Sequence, residues 1–358
     1  MKSVGIIAEF NPFHYGHKYF IECVKKMFPD YAIVCVMSGN FTERGDVSIM
    51  DKWNKTHIAL ENGVDIVIEI PFFYATQSAD YFASCALRLL NEMDVSAIVF
   101  GSESNDINNL YSIAYNQIKS DSSVKKIINN GINYPTAISY FNGNVYSPND
   151  ILGICYIKEI IKNNYDIKAY CVKRTSDFNS NELSKICSSS AIRDSLKNGI
   201  DISNYIPYDI SLINYTDLNN YFDLIRYEII SNNHLNKILG VDEGIENRLK
   251  KFILCSDNID DFIAKVKCKR YTYNRIRRML VHILCNVYKD QDRSINYIRI
   301  LGFSDRGQKY LSGLKCNLNI VYSYKRNISS LFDLEYKSSC IYNIVTSDKE
   351  YKNSVIKF

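Results

Sequence analysis

Short apolar runs alternate with stretches of helical spacing over the first half of the chain. Each run is five to seven residues long and ends near turn-forming residues, as expected of buried strands. Longer stretches with apolar residues at helical spacing separate them, beginning with 17–27 and 53–62. This alternation predicts an α/β fold with a doubly wound parallel sheet, whose ligands bind beyond the carboxyl ends of the strands. The predicted strands are Val4–Ala8, Tyr31–Met37, Val64–Ile70, Val95–Phe100 and Lys168–Lys173.

The pattern changes beyond Pro207, where helical spacing dominates and no further strong strand is expected until Leu318–Tyr322. We therefore expect two domains, an α/β domain at 1–200 and a mainly helical region at 201–358. Residues 1–200 carry 19 Lys and Arg against 21 Asp and Glu, which leaves 24 of the 43 basic and 18 of the 39 acidic residues for 201–358. A polyanionic partner is therefore expected to contact mainly the second region.

The composition favours a globular cytoplasmic protein. No apolar run approaches the roughly 20 residues of a membrane span, so no membrane association is expected. The 11 cysteines contain no Cys-x-x-Cys pair, which favours reduced cysteines and no metal site. The sequence leaves monomer and homo-oligomer equally open.

The loop after the first predicted strand carries two histidines, His14 and His17, around Gly16. A helix start presents unpaired backbone N–H groups and the positive end of the helix dipole, where anions bind. Imidazoles at that point can donate hydrogen bonds to a departing pyrophosphate. The plainer alternative is that both histidines only cap the helix. The pattern resembles the HxGH signature of a nucleotidyltransferase superfamily, which implies a Rossmann-like sheet of that type.

A serine run forms a second candidate phosphate site. The residues Cys187-Ser188-Ser189-Ser190-Ala191-Ile192-Arg193 begin a predicted helix and resemble the ISSTxIR motif of the same superfamily. Serine hydroxyls, backbone amides and an arginine fork at a helix start can hold phosphates. A helix cap beside a surface arginine is the alternative, and the first motif favours phosphate binding.

A more specific resemblance covers most of the chain. Residues 5–18, 37–46, 100–103, 148–153 and 269–278 are similar to the tRNA(Met) cytidine acetate ligase family, although Phe10 and Tyr15 stand where tyrosine and asparagine are usual. Membership would imply activation of acetate with ATP as acetyl-adenylate. The acetyl group would then pass to the exocyclic amine of the wobble cytidine in elongator tRNA(Met), giving N4-acetylcytidine, AMP and pyrophosphate.

The resemblance also implies which residues bind ATP. They are one continuous stretch and three separate positions: Ile7, Ala8, Glu9, Phe10, Asn11, Pro12, Phe13, His14, Tyr15, Gly16, His17, Lys18, Tyr19, Phe20, Gly101, Asn149 and Arg174. We assign His14, His17 and Lys18 to the reacting phosphates, and Ser189, Ser190 and Arg193 to pyrophosphate. Mg²⁺ bridging the phosphates is expected on general grounds, without a dedicated carboxylate cage.

The segment 265–278 contains seven basic residues, two tyrosines and no acid. Basic groups along a helix beside aromatic rings suit phosphate contacts and stacking on unpaired bases. We therefore predict tRNA contacts here, against the alternative of a solvated charged surface. The predicted residues are Lys265, Lys267, Lys269, Arg270, Tyr271, Tyr273, Arg275, Arg277 and Arg278.

Two other functions remain open at this stage. An adenylyltransferase that builds a dinucleotide cofactor would use the same HxGH loop, but it would not need a basic helical region of about 150 residues. A non-catalytic RNA-binding protein could keep the α/β half as a scaffold, although intact His14, Gly16 and His17 disfavour it.

Overall fold

An eight-stranded, mostly parallel sheet forms the centre of the molecule. The computed structural model describes residues 1–129, 147–174, 188–325, 327–346 and 353–358. Seven strands lie in the order β5-β4-β1-β2-β3-β6-β7, and β8 pairs with β6 beside this path. The strands are β1 (Ser3–Ala8), β2 (Ala32–Ser38), β3 (Ile66–Ile70), β4 (Ala97–Ser102), β5 (Lys168–Lys173), β6 (Tyr297–Phe303), β7 (Asn319–Val321) and β8 (Ile356–Lys357). The predicted α/β fold with a parallel sheet is confirmed.

Helices cover both faces of the sheet. The α-helices in the first half are α1 (Tyr15–Met27), α2 (Lys52–Glu61), α3 (Phe72–Ala75), α4 (Ala79–Glu92), α5 (Ile107–Asn129), α6 (Pro148–Asn163) and α7 (Ser189–Lys197). Those in the second half are α8 (Phe222–Ser231), α9 (Ile245–Ile253), α10 (Ile259–Val266), α11 (Tyr273–Leu284), α12 (Asp305–Gly313) and α13 (Ser330–Thr346).

Buried strand residues alternate between two hydrophobic cores. Along β2, Val34 and Val36 join the core that contains α4 and α6, whereas Cys35 and Met37 join the core that contains α1 and α2. All seven residues of β2 are buried, as expected of a central strand covered by helices on both faces. The near-continuous apolar runs in the sequence follow from this double burial.

The five N-terminal strands form a topological switch at β1. From β1 the chain continues to β2 and β3 on one side, whereas β4 and β5 lie on the other side. The loops after β1 and β4 therefore leave neighbouring strand ends in opposite directions, which opens a crevice there. The loop after β1 and the end of β4 carry residues that the sequence predicts to bind ATP.

The expectation of no strong strand between Pro207 and Leu318 was wrong. Strand β6 pairs antiparallel with β3, with Ile68 opposite Ile300 and Glu69 opposite Arg299, and all seven of its residues are buried. Arg299 interrupts the apolar run in the sequence, yet it is 2% exposed and its charge lies opposite Glu69. The sheet is therefore built from both halves of the chain, and the division at residue 200 stays a prediction.

The predictions about the cysteines and about membrane spans can be compared with the structure only within the described residues. Cys187 lies outside the described residues, and none of the ten cysteines within them forms a disulfide. Among the residues that the structure describes, no helix is long and apolar enough to cross a membrane.

Candidate active site

The loop from Glu9 to His14 joins β1 to α1 at the carboxyl edge of the sheet. Phe10 adopts a left-handed backbone conformation (φ 47°), and the Asn11–Pro12 peptide bond is cis. The side-chain oxygen of Asn11 accepts a hydrogen bond from the Ile49 backbone N–H at 2.9 Å. We call residues 9–14 the nucleotide loop. This hydrogen bond to Asn11 holds the loop in place on one side.

Lys55 fixes the start of the nucleotide loop from beneath. Its side chain is fully buried, and Nζ donates to the carbonyl oxygens of Glu9 (3.1 Å), Ser38 (2.8 Å) and Gly39 (2.6 Å). Burial lowers the pKa of Lys55 to about 8, partly offset by Glu9 and Asp51. One ammonium group therefore joins the ends of β1 and β2.

The two histidines form a reciprocal cap at the start of α1. His14 Nδ1 accepts a hydrogen bond from the Gly16 backbone N–H at 3.0 Å, and His17 Nδ1 accepts from the His14 backbone N–H at 3.2 Å. The rings stack with their centroids 3.8 Å apart. Because each Nδ1 is an acceptor, the ring proton of each neutral imidazole lies on Nε2. Both rings thus keep an Nε2–H group to donate to a ligand.

The surroundings keep both imidazoles neutral. Burial, together with the positive charges of Arg174 and Arg193, lowers the pKa of His14 to about 3. Burial likewise lowers the pKa of His17 well below its usual value, with contributions from His14 and Arg174. Phe10 and Phe13, both buried, pack their rings 5.0 Å and 5.5 Å from the His17 ring. Their side chains support His17 from the core, so any contact they make with a nucleotide comes from the backbone.

Helix α7 holds the nucleotide loop from the other side. Arg193 donates from a guanidinium nitrogen to the carbonyl oxygen of Asn11 at 2.6 Å, and Ser189 Oγ donates to the carbonyl oxygen of Pro12 at 3.3 Å. Ser188 caps the helix by accepting from the Ala191 N–H, and its hydroxyl lies 3.0 Å from that of Ser190. The structure therefore brings the serine run to the nucleotide loop and shows Ser188 and Ser189 in structural contacts.

Residues from the ends of β4 and β5 and from the start of α6 come together around Glu103. Asn149 Nδ2 donates to Glu103 Oε1 at 2.5 Å, and Arg174 Nε lies 4.0 Å from the same oxygen. A Cβ on Gly101 would lie 3.3 Å from Arg174 Cγ, so a larger residue would crowd the arginine. Gly101, Asn149 and Arg174 thus form one group, and Glu103 organises it. From the sequence alone, Glu103 was recognised only as part of the turn Gly101-Ser102-Glu103.

A third arginine, which sequence reasoning missed, lies beside this group. Arg44 occupies a turn at 42–46 after β2, and its charge acts on both Arg174 and Arg193. Burial lowers the pKa of Arg174 and of Arg193, and the charge of Arg44 lowers both further. Because Arg44 disfavours the charged forms of both other arginines, an anionic ligand beside them would be stabilised. The sequence feature that could have identified Arg44 is its position in a polar, glycine-containing turn after a buried strand.

Of the other predicted residues on α1, Tyr15, Lys18 and Tyr19 face outward, whereas Phe20 packs against the core that contains α1 and α2. Tyr15 and Tyr19 are 36% and 39% exposed, and Lys18 is partly exposed in the first turn of α1. Tyr15 lies between the histidines in sequence but points its side chain toward solvent. Within the described ranges, no three His, Cys, Asp or Glu side chains are arranged to hold a metal ion.

The basic segment 265–278 is only partly helical, because it crosses the end of α10, a loop and the start of α11. Lys267, Lys269 and Arg270 are exposed. Tyr271 is 3% exposed and donates its hydroxyl to the Asp242 carbonyl oxygen, so its ring is not accessible for stacking on a base. Tyr273 is 38% exposed, so of the two tyrosines it is the one whose ring is accessible. The basic residues do not lie along one helix, contrary to the expectation from the sequence.

Comparisons with known proteins find relatives over nearly the whole chain. A family model described as HIGH Nucleotidyl Transferase matches residues 1–355. The chain is 37% identical to the tRNA(Met) cytidine acetate ligase of Clostridium perfringens (strain SM101 / Type A), with 96% of each chain covered. It is also 37% identical to the protein of that name from Fusobacterium nucleatum subsp. nucleatum, again with 96% of each covered.

Solved structures match over the whole length. The structure of Thermotoga maritima TmcAL bound with alpha-thio ATP is similar with a TM-score of 0.87 and 29% sequence identity, covering all of both chains. The apo form of the same protein gives a TM-score of 0.90 at 29% identity. The relation therefore extends over both halves of the molecule.

Proposed function

This chain belongs to the tRNA(Met) cytidine acetate ligase family of HIGH nucleotidyl transferases, and from that premise we propose the reaction and the residues that perform it. The protein is an ATP-dependent ligase. It activates acetate as acetyl-adenylate and transfers the acetyl group to N4 of the wobble cytidine of elongator tRNA(Met). The ATP site lies at the nucleotide loop, α7 and the group around Glu103.

One observation carries the proposal: two stacked, neutral imidazoles present Nε2–H groups beside Arg174 and Arg193. In the first step, an acetate oxygen attacks the α-phosphorus and the bond to the β-phosphate oxygen breaks. Negative charge builds on the phosphoryl oxygens and on the leaving pyrophosphate. Neutral N–H donors and arginines fixed in advance stabilise that charge more than they stabilise the substrate.

The histidines and the arginines have different parts in this step. A neutral imidazole donates a hydrogen bond from Nε2–H, so His14 and His17 suit the α-phosphate oxygens, where negative charge builds during the attack. Arg193 and Arg174 carry full charge and suit the pyrophosphate, with Ser189 and Ser190 beside them and Lys18 at the loop end. Mg²⁺ would enter with ATP, held by the phosphate oxygens, where it would supply positive charge.

The second step needs no protein nucleophile. The N4 amine of cytidine attacks the carbonyl carbon of acetyl-adenylate, the bond to the AMP oxygen breaks, and the amine loses a proton. The main requirement is that the base and the adenylate are held together. The exposed residues Lys267, Lys269, Arg270 and Tyr273 provide the tRNA contacts, with Lys265 and Arg275 beside them.

Acetate-dependent exchange of labelled pyrophosphate into ATP tests the first step. We expect His14→Ala and His17→Ala each to lower the exchange rate by about 10²–10³, the usual cost of removing one preorganised donor. His57→Ala is the matched control, because His57 lies at the surface of α2, where it pairs with Glu61. Full exchange in either site variant would refute the assignment of the histidines.

A further inference from the structure

The second turn of α11 packs directly on the turn at 42–46. This turn is closed by hydrogen bonds from the Gly45 N–H to the Thr42 carbonyl (3.0 Å) and from the Thr42 N–H to the Asp46 carbonyl (2.9 Å). Gly45 has φ 74°, and a Cβ there would lie 2.1 Å from the backbone nitrogen of Arg278. Only glycine allows the helix and the turn to approach this closely.

Two arginines of α11 point into this contact. Arg278 donates to Glu43 Oε1 at 3.1 Å and to the Glu43 carbonyl oxygen at 3.2 Å. Arg277 pairs with Asp46 Oδ1 at 2.5 Å. The four side chains are between 13% and 22% exposed. Their charges are thus used within the protein, in contrast to the exposed Lys267 and Lys269 of the same basic segment.

The contact continues from the turn into the nucleotide loop. The backbone N–H of Glu43 donates to Glu9 Oε1 at 2.8 Å, and Ser38 Oγ donates to the same oxygen at 3.0 Å. Glu9 is the first residue of the nucleotide loop, and its carbonyl oxygen accepts from Lys55. A continuous series of contacts therefore runs from Arg278 through Glu43 and Glu9 to the loop that carries His14.

We propose that Arg278 and Glu43 are positioning residues for ATP: their ion pair holds the turn at 42–46, and the turn holds Glu9 and the nucleotide loop. The same turn carries Arg44, whose charge acts on Arg174 and Arg193, so displacement of the turn also alters the cationic group. This inference rests on the proposed function for the location of ATP. It reassigns Arg278 from tRNA contact to the adenylation step.

Two measurements on the full-length protein test the proposal. The first is the dissociation constant of ATP, by equilibrium dialysis, and the second is that of unmodified elongator tRNA(Met), by fluorescence anisotropy. The variants are Arg278→Gln, Glu43→Gln, the double variant and the conservative Arg278→Lys. The work is done at about pH 8, above the pKa of about 7 to which burial raises the Glu43 carboxyl.

We expect Arg278→Gln and Glu43→Gln each to weaken ATP binding about tenfold, and the double variant to be no weaker than the poorer single variant, because both act through one ion pair. Arg278→Lys should restore at least half of the lost affinity in logarithmic terms. The tRNA dissociation constant should change less than threefold in each variant. Arg226→Gln, which removes an arginine paired with Asp223 on α8, is the matched control and should leave both constants unchanged.

Contrary results are equally distinct. If Arg278→Gln leaves ATP binding unchanged, Arg278 is not a positioning residue, and a simultaneous tenfold loss of tRNA binding identifies it as a tRNA contact. Additive losses in the double variant would also overturn the proposal. If the wild-type protein binds ATP but shows no acetate-dependent pyrophosphate exchange, the proposed function fails, while the ATP measurements still decide this inference.

Discussion

His14 and His17 acquire their properties from a backbone arrangement rather than from a neighbouring acid or base. The helix start supplies the N–H groups that occupy both Nδ1 atoms, and burial beside arginines disfavours protonation. The two imidazoles are consequently neutral donors at physiological pH. A histidine pair at this position would be a poor general acid, so the role that we propose for it is donation of hydrogen bonds to charge that develops during the reaction.

The lowered pKa of His14 predicts how stability depends on pH. The unfolded histidine takes up a proton near pH 6.5, whereas the folded one does so only near pH 3. The unfolded state therefore binds more protons between these values, and the free energy of unfolding falls as pH decreases through 6.5. At about 1.4 kcal/mol per pH unit, His14 alone costs about 2 kcal/mol of stability on going from pH 7 to pH 5.

Urea unfolding at pH 7 and pH 5 measures this dependence. His14→Gln should lose about 2 kcal/mol less stability over that interval than the wild-type protein. Loss of the helix cap lowers stability at both pH values and cancels in the difference. Equal losses in the two proteins would show that His14 is protonated in the folded state at pH 5.

Sequence reasoning identified the residues whose role is local and missed those whose role depends on distant contacts. His14, Gly16 and His17 are adjacent and lie between a strand and a helix, so their arrangement could be predicted. Lys55 and Glu43 are ordinary charged residues in sequence, and only the fold brings them to Glu9. The burial of Tyr271 could not be predicted either, because in the sequence it resembles Tyr273 of the same segment.

Helix α7 acts as a unit on the nucleotide loop. Its first turn contributes Ser189 and its second contributes Arg193, and both contact loop carbonyl oxygens. Its N-terminus is fixed by the Ser188 hydroxyl. The position of these groups therefore depends on a well-formed helix start.

Removal of the α7 cap is predicted to weaken ATP binding. Ser188→Ala should destabilise the helix by about 1 kcal/mol and raise the dissociation constant of ATP by up to about fivefold. Ser304→Ala is a matched control, because Ser304 caps α12 at the opposite edge of the sheet by accepting from the Gly307 N–H. Isothermal calorimetry compares the two. An equal effect of both variants on ATP binding would contradict a specific role for α7.

Strand β6 shows why one element escaped prediction. An apolar run of five to seven residues fits either a buried strand or a short segment of helix, and the surrounding pattern decides. Here the neighbouring sequence is helical and Arg299 breaks the run, which favours helix. The burial of Arg299 opposite Glu69 and between the rings of Trp53 and Phe332 becomes evident only when β3 and β6 are paired.

At the scale of the whole molecule, the catalytic sheet depends on the second half of the chain. Residues 66–69 of β3 pair with β6, Tyr208 donates to the Phe13 carbonyl oxygen, and Glu335 accepts from the Phe72 N–H. Each of these contacts joins a residue before the predicted boundary at residue 200 to a residue after it. The boundary in sequence pattern thus does not coincide with a boundary in contacts.

A fragment of residues 1–200 is therefore predicted not to form a stable ATP-binding unit. Its sheet would expose β3 as an edge, with the apolar surface that β6 and α13 cover in the full chain. We expect aggregation or loss of the cooperative thermal transition, measured by circular dichroism. A soluble fragment that unfolds cooperatively and binds ATP would instead establish residues 1–200 as an independent domain.

The central claim is that one site makes acetyl-adenylate from ATP beside a bound tRNA. Mass analysis of nucleosides tests it most directly, after unmodified elongator tRNA(Met) is incubated with the protein, ATP and isotopically labelled acetate. We predict labelled N4-acetylcytidine at the wobble position with the wild-type protein and with His57→Ala, and an initial rate about 10²–10³ lower with His14→Ala. Absence of acetylcytidine with a folded wild-type protein that binds ATP and tRNA would contradict the claim.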